Sequence, residues 1–324
     1  MALTNKVLVT GGAGFIGSNL ADELIKQGAK VVILDNFVTG FRENLDEIKG
    51  DFDFIEGDLN DDGKLARAVE GVEVIFHQAA LPSVPRSVEN PHETHQACVN
   101  GTFNLLLKAK ENKVKRVIYA ASSSAYGDQK TLPKIETMRP EPLSPYAAAK
   151  LMGEYYCQVF SRVYGVETLC LRYFNVFGPR QNPASQYSGV ISRFVDALMA
   201  DKVPIIYGDG ETTRDFTYIA NVVDANLKAA QTSKGIGEVM NVANSERISL
   251  NELLEVLKKI IGKENVSADF QPERKGDVKH SQADNQRAIE WLGYEKLTGL
   301  EEGLIKTIDW WKTSRFARQP ASSV

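Results

Sequence analysis

Nowhere in its 324 residues does the chain hold an apolar run of about 18 residues, so no membrane-crossing helix is expected. Cysteine is scarce. Cys98, Cys157 and Cys170 are odd in number, widely spaced and without zinc-site spacing, which argues against a disulfide scaffold and points to reduced thiols in a cytosol. Two of them stand in apolar runs, where a thiol serves as a small core residue. Histidine is limited to four residues. His77 ends an apolar run and is expected to hydrogen-bond locally. Neither it nor His95 has a partner at ligand spacing, so no zinc or magnesium site is expected. A charge excess is lacking too: 38 Lys and Arg face 42 Asp and Glu, a net charge of -4, unlike the basic face of a nucleic-acid binder. There is no internal repeat and no low-complexity segment. Met1 to Asn5 leads straight into an apolar strand without signal-peptide form, so a cytoplasmic location is expected.

What is present is material for a core. Hydrophobic residues make up 43% and charged residues 25%, enough for one large or two medium domains. Apolar runs at Lys6–Thr10, Lys30–Leu34, Phe52–Ile55, Val72–His77, Arg116–Ala120 and Glu167–Leu171 read as buried strands. Helical stretches separate most of them, notably 15–27 with Ile16, Leu20 and Leu24 on one face, 92–112 and 145–164. Strands alternating with helices predict a doubly wound parallel sheet of Rossmann type, an α/β fold covered on both faces, to about residue 173. Beyond it the rhythm loosens. Pro179 to Ser188 is polar; helices are expected near 189–200, 220–232, 249–261, 283–292 and 300–312. Short strands are expected at Pro204–Tyr207, Glu238–Asn241 and Val266–Phe270. Residues 174–314 thus read as a smaller mixed α/β region packed on the sheet's carboxyl edge, and 315–324 as a polar tail.

Three patterns carry chemistry. Thr10-Gly-Gly-Ala-Gly-Phe-Ile-Gly17 joins the first strand to the first helix. Glycines there allow a tight turn and a close approach to phosphate, and the helix N-terminus offers free N–H groups and a positive dipole end. Asp35 closes the second strand, where a carboxylate can accept from both ribose hydroxyls and repel a 2′-phosphate, favouring NAD over NADP. Asp58 and Leu59 end the third strand, where they could hold adenine; Asp58 could equally cap the next helix. Tyr146 and Lys150, four apart, share a helix face. An ammonium beside a phenol favours the phenolate, which suits removal of an alcohol proton. The pair alone also describes two surface residues.

Together with His77-Gln-Ala-Ala80, Ser122-Ser-Ser-Ala-Tyr-Gly127, Arg172-Tyr-Phe-Asn-Val-Phe-Gly-Pro-Arg180, Gly208-Asp-Gly-x-x-x-Arg-Asp215 and Arg274-x-Gly-Asp277, these motifs make the chain resemble the extended short-chain dehydrogenase/reductases. The likeness is to their nucleotide-sugar epimerase and dehydratase group and spans nearly the whole chain. The resemblance implies a cofactor site at Gly11, Gly14, Phe15, Ile16, Asp35, Asn36, Asp58, Leu59, Ala79, Ala80, Tyr146 and Lys150 in residues 1–173. It implies a UDP-sugar site in 174–314. Ser122, Tyr146 and Lys150 would be catalytic, with Ser123 and Ser124 beside the sugar. Dehydratases of the group carry an Asp-Glu pair where Ser123 and Ser124 stand, so elimination of water is disfavoured. Asn175 and Arg180 would lie in a loop over the sugar diphosphate, Arg214 and Arg274 would clamp it, and Asp277 would hold the uridine ribose. Ser281 would line the pocket beside the C2 substituent, where a small residue leaves room for an N-acetyl group.

The implied reaction is NAD-dependent 4-epimerisation through a 4-keto sugar, with UDP-N-acetylglucosamine and UDP-N-acetylgalactosamine first and UDP-glucose and UDP-galactose second. A UDP-uronate 4-epimerase or decarboxylase is the alternative, with Arg86 as its cation. A non-catalytic NAD-binding regulator would be expected to lose Ser122, Tyr146 or Lys150. Family members commonly pair through helices matching 92–112 and 145–164, which here carry Phe103, Leu106 and Leu107, and Tyr155, Val159 and Val163. A homodimer is therefore expected.

Overall fold

A computed structural model describes residues 5–182, 189–273 and 279–314. Seven strands form one wholly parallel sheet: β1 Lys6–Thr10, β2 Lys30–Asp35, β3 Phe52–Glu56, β4 Val74–His77, β5 Arg116–Ser122, β6 Glu167–Tyr173 and, after four short strands, β11 Glu238–Val242. The four are β7 Val176–Phe177, β8 Ile205–Tyr207, β9 Thr213–Arg214 and β10 Thr217–Tyr218; β12 Ile248–Ser249 and β13 Asp269–Gln271 follow. The sheet order is β3-β2-β1-β4-β5-β6-β11, so chain direction across the sheet reverses between β1 and β4. The short strands pair among themselves, β7 with β10, β9 with β12 and β8 with β13.

The helices are α1 Phe15–Lys26, α2 Arg42–Asp46, α3 Asp62–Val69, α4 Val84–Glu89, α5 Pro91–His95, α6 Gly101–Glu111, α7 Pro145–Tyr164, α8 Val190–Met199, α9 Ile219–Gln231, α10 Leu250–Ile261, α11 Gln286–Leu292 and α12 Leu300–Thr313. Local chemistry sets several ends. Ser144 caps α7 by accepting from the Ala147 N–H, Pro145 follows at its first position, and Gly165 takes the left-handed conformation that stops it. Ser249 and Glu252 form a reciprocal capping box on α10, which ends at left-handed Gly262.

Because strand side chains alternate, Val7 and Val9 of β1 face one layer and Leu8 the other. The first layer packs α1 and α9 on the sheet and continues into α8, α10 and α12; the second packs α3, α6 and α7. All three cysteines are free thiols in buried positions. No helix among the described residues is long and apolar enough to cross a membrane.

Two expectations change. The boundary at residue 173 cuts through the sheet, since β11 pairs with β6 from Glu238–Leu169 to Val242–Tyr173 and α9 covers that face. The helix expected over 92–112 contains a π-helical turn at Gln96–Asn100 between α5 and α6. Helical dihedrals at His95 and Gly101 keep the path continuous. The wider turn accompanies a bond from Thr102 Oγ1 to the Cys98 carbonyl, and Thr102 Oγ1 lies 2.9 Å from His77 Nε2.

His77 is buried, with its Nδ1 2.8 Å from Thr10 Oγ1. Burial, aided by the Lys150 charge, pushes its pKa down to about 3. An unfolded histidine titrates near ~6.5, so on acidification the unfolded chain takes up a proton that the folded protein refuses. This contribution to stability is complete above pH ~6.5 and is lost as pH falls toward ~3, at about 1.4 kcal/mol per unit. Urea unfolding at about pH 7 and about pH 5 should show roughly 2 kcal/mol less pH dependence in His77→Gln than in the parent protein. Equal dependence in both would assign the effect to other groups.

Candidate active site

At the reversal between β1 and β4 the strand ends diverge, and a cavity of about 840 Å³ opens along the carboxyl edge of the sheet. Its wall brings together Gly11, Gly14, Phe15 and Ile16 after β1, Asp35 and Asn36 at the end of β2, Asp58 and Leu59 after β3, and Ala79 and Ala80 after β4. Ser122 ends β5 and Ser123 and Ser124 follow it, α7 contributes Tyr146 and Lys150, and the later chain contributes Asn175, Arg214 and Ser281. Arg274 and Asp277 lie outside the described residues.

The β1 end is shaped as a cradle. Gly11 has φ +69°, and a Cβ on it would stand 2.7 Å from the Ala79 Cα; one on Gly17 would stand 2.1 Å from the Gly11 carbonyl oxygen. Helix α1 starts at Gly14 with no side-chain cap and no acidic residue in its first turn, so its N–H groups and dipole end remain available to an anion. Asp35 Oδ2 accepts from the Ala13 N–H at 3.0 Å and Oδ1 from the Phe37 N–H at 2.7 Å, each oxygen keeping a further lone pair. Burial raises its pKa and those amide bonds oppose the rise. Asp58 does not cap α3; Asp61 does, by accepting from the Lys64 N–H. Asp58 instead accepts from Asn36 Nδ2 at 2.6 Å and the Asn60 N–H at 2.8 Å, which ties the second and third strand ends together. These residues fit a dinucleotide: a diphosphate at the α1 terminus and an adenosine ribose at Asp35.

The chemistry-bearing side chains meet at the β5 end. The Ser122 hydroxyl stands near the Tyr146 phenol and lies 2.8 Å from Ser124 Oγ. Lys150 Nζ donates to the Ala120 carbonyl at 2.7 Å and lies 4.8 Å from the centre of the Tyr119 ring. Burial lowers the pKa of this ammonium. The expected lowering of Tyr146 by Lys150 is not the governing effect here. Burial raises the phenol well above its usual value, the Cys98 thiol adds to the rise, and the nearby Ser122 hydroxyl opposes it.

On the other wall, Asn175 has φ +34° and donates from Nδ2 to the Asp215 carbonyl at 2.9 Å and to Ser281 Oγ at 3.3 Å. Arg214 Nη1 donates to the carbonyls of Thr213 and Lys279, which holds the guanidinium at the rim. Arg180 departs from its expected place. It is buried against α1 and α2, donating to the Ser18 and Glu47 carbonyls and pairing with Asp22 and Glu47. It staples the loop after β6 to the first helices and takes no place on the cavity wall. Among the wall residues given no role from sequence are Lys134, Tyr173 and Gln181. Tyr173 OH lies within 3.3 Å of both Gln78 and Asn226, a polar cluster at the β4 and β6 ends. A polar tip closing an apolar strand was the available signal for Tyr173. Lys134 sits in a loop whose pattern announces nothing.

A fold reversing at a glycine cradle, with an acid after the second strand and a Ser–Tyr–Lys set on β5 and α7, defines an NAD-dependent enzyme class. The chain belongs to the NAD dependent epimerase/dehydratase family, whose model matches residues 7–243. It is 37% identical over 311 residues to UDP-glucose 4-epimerase of Mycolicibacterium smegmatis, covering 95% of this chain and 98% of that one. It is similar to the UDP-N-acetylglucosamine 4-epimerase of Methanobrevibacter ruminantium M1, solved with UDP-N-acetylmuramic acid, at 37% identity and TM-score 0.91 over 95% of this chain and 98% of that one. It is also similar to the UDP-glucuronic acid 4-epimerase of Bacillus cereus, solved with UDP-glucuronic acid and NAD. There the identity is 34% and the TM-score 0.88 over 95% of this chain and 99% of that one.

With a carboxylate at the expected adenosine ribose position, cofactor-depleted protein should regain activity with NAD and hardly at all with NADP. Equal recovery, read in the same assay, would show that Asp35 does not face the ribose.

Proposed function

We propose that the protein is a UDP-sugar 4-epimerase whose principal substrates are UDP-N-acetylglucosamine and UDP-N-acetylgalactosamine, with UDP-glucose and UDP-galactose second. The observation that carries this reading is one cavity lined by Ser122, Tyr146 and Lys150 on one side and by Asn175, Arg214 and Ser281 on the other. Tyr146 takes the O4 proton, directly or through Ser122, and returns it after the sugar has turned its other face. When bound, NAD supplies the acceptor and then the donor of the C4 hydride, and in its oxidised form a positive charge. A phenol raised by burial needs such positive neighbours to ionise, and Lys150 is one of them. Arg214 grips the diphosphate as the pivot, with Arg274 and Asp277 as the expected remainder of the clamp. The serines at 123 and 124 offer no acid–base pair for dehydration.

Relatives acting on plain, N-acetylated and acidic sugars share this fold, so the sugar choice rests on side chains. Ser281 is small and stands against Asn175, which supports room for an acetamido group. Arg86, the cation that a uronate would need, is already paired with Glu93. The intact Ser–Tyr–Lys set speaks against a non-catalytic regulator.

The working form is a homodimer built on α7, which leaves Tyr155, Val159 and Val163 exposed at 52%, 48% and 65% along one stripe. Phe103 and Leu107 are half-buried beside it, whereas Leu106 is fully buried and belongs to the core. Buried free thiols suit a cytoplasmic setting.

Incubation with UDP-N-acetylglucosamine, UDP-glucose and UDP-glucuronate separately, followed by NMR of the products, is expected to show C4 inversion of the first two. Tyr146→Phe should keep its NAD and lose roughly 100- to 10,000-fold in turnover. Near-parental activity in that variant would sink the mechanism.

Ser281→Tyr should depress turnover of the N-acetylated pair more than that of the plain hexoses, since an acetamido group cannot share space with a phenol ring. If the variant accepts both pairs in the parental ratio, Ser281 does not border the C2 substituent.

A further inference from the structure

Arg86 belongs to the cavity wall, on α4, and its charge is paired there with Glu93. Its Nε donates to Glu93 Oε2 at 3.2 Å and its Nη2 to Glu93 Oε1 at 2.5 Å, a two-point pair of guanidinium and carboxylate. Glu93 is itself fixed. Asn90 Nδ2 donates to its Oε2 at 3.3 Å, and the Asn90 side chain accepts the Glu93 N–H at the start of α5. The pair bolts α4 to α5, and both helices pack against α7, which carries Tyr146 and Lys150. Glu93 itself does not line the cavity. An anion in the cavity therefore meets opposite charges from neighbouring positions, and their Coulomb energies largely cancel. An uncharged sugar ring is indifferent to this balance.

We propose that Glu93 is a specificity-determining residue: by holding Arg86 it keeps the site selective for uncharged sugar rings over rings that carry a C6 carboxylate. This rests on the 4-epimerase reading and adds the reason why a cation on the wall does not recruit acidic sugars. For a uronate to take the Nε–Nη2 edge of Arg86 it would have to displace Glu93. One two-point pair would be exchanged for another, and the Glu93 carboxylate would be left without its partner. Without the Glu93 charge, the Arg86 fork matches a carboxylate directly. Other cations on the wall, Lys134, Lys150 and Arg214, donate to backbone carbonyls and are common to every variant below.

The test uses NAD-loaded Glu93→Gln, with Glu93→Ala as a second variant should the first fail to fold. Expected is a rise of about 10-fold or more in kcat/KM for UDP-glucuronate relative to UDP-N-acetylglucosamine, the size of one added charge-assisted hydrogen bond. Turnover of the uncharged sugar should stay within about 3-fold of the parent, as for a residue off the cavity wall. Adding Arg86→Met to Glu93→Gln should return the ratio to the parental value. An unchanged ratio in both single variants, or a rise that persists without Arg86, overturns the proposal. Calorimetric binding of the two nucleotide sugars to each holoenzyme reads the same ratio without turnover. If the parent epimerises neither sugar, the proposed function fails while the affinity ratio still decides the role of Glu93.

Discussion

The approach of the β1–α1 turn to the end of β4 is the contact on which the rest of the site depends. A side chain at Gly11 would run into the Ala79 backbone, and one at Gly17 would run into the Gly11 carbonyl. With glycine at both positions, α1 begins directly under the cavity with its first amides uncapped. The same turn presents the Ala13 N–H to Asp35, so the cradle and the acidic strand end are held in one bonded unit. Any widening here would misplace the helix terminus and the carboxylate together.

The opposite wall is drawn in by buried polar groups. Asp215, fully buried, accepts from the Asn244 N–H and the Ala283 N–H, each at 3.0 Å, while its own carbonyl receives Asn175. Burial pushes its carboxyl up to about 7 against those amide bonds. Segments far apart in the chain, after β6, before β10, after β11 and around Ser281, are thereby joined. Gln78, Tyr173 and Asn226 make a similar junction between two strand ends and α9. Such groups are costly when unpaired, so each cluster admits few arrangements.

Cations illustrate how little a residue's type says about its task. Arg180 shares a motif with Asn175, yet its guanidinium is consumed by two carbonyls and two carboxylates against α1 and α2. Arg86 reaches the cavity but is matched by Glu93. Lys150 sits on the expected helix face, and its bond goes to the Ala120 carbonyl. In each case the balance of partners, rather than the charge itself, sets what remains for a ligand.

The alternation of apolar runs and helical periodicity determined the first six strands, the covering helices and the glycine cradle, because these signals are local and repeat at fixed spacing. Spacing also determined that Tyr146 and Lys150 share a face of α7, since four residues make one helical turn. The strand expected at Glu238–Asn241 was legible, but tertiary structure alone decided that it is the seventh of the main sheet, because the pairing of β11 with β6 depends on packing across some 65 intervening residues. It also decided that burial, not Lys150, dominates the Tyr146 phenol, that Leu106 is core, and that Arg180 and Arg86 are spoken for. Desolvation and the pairing of Arg180 arise from neighbours distant in sequence, the pairing of Arg86 with Glu93 arises from how α4 meets α5, and no pattern along the chain records how completely such neighbours close around a group.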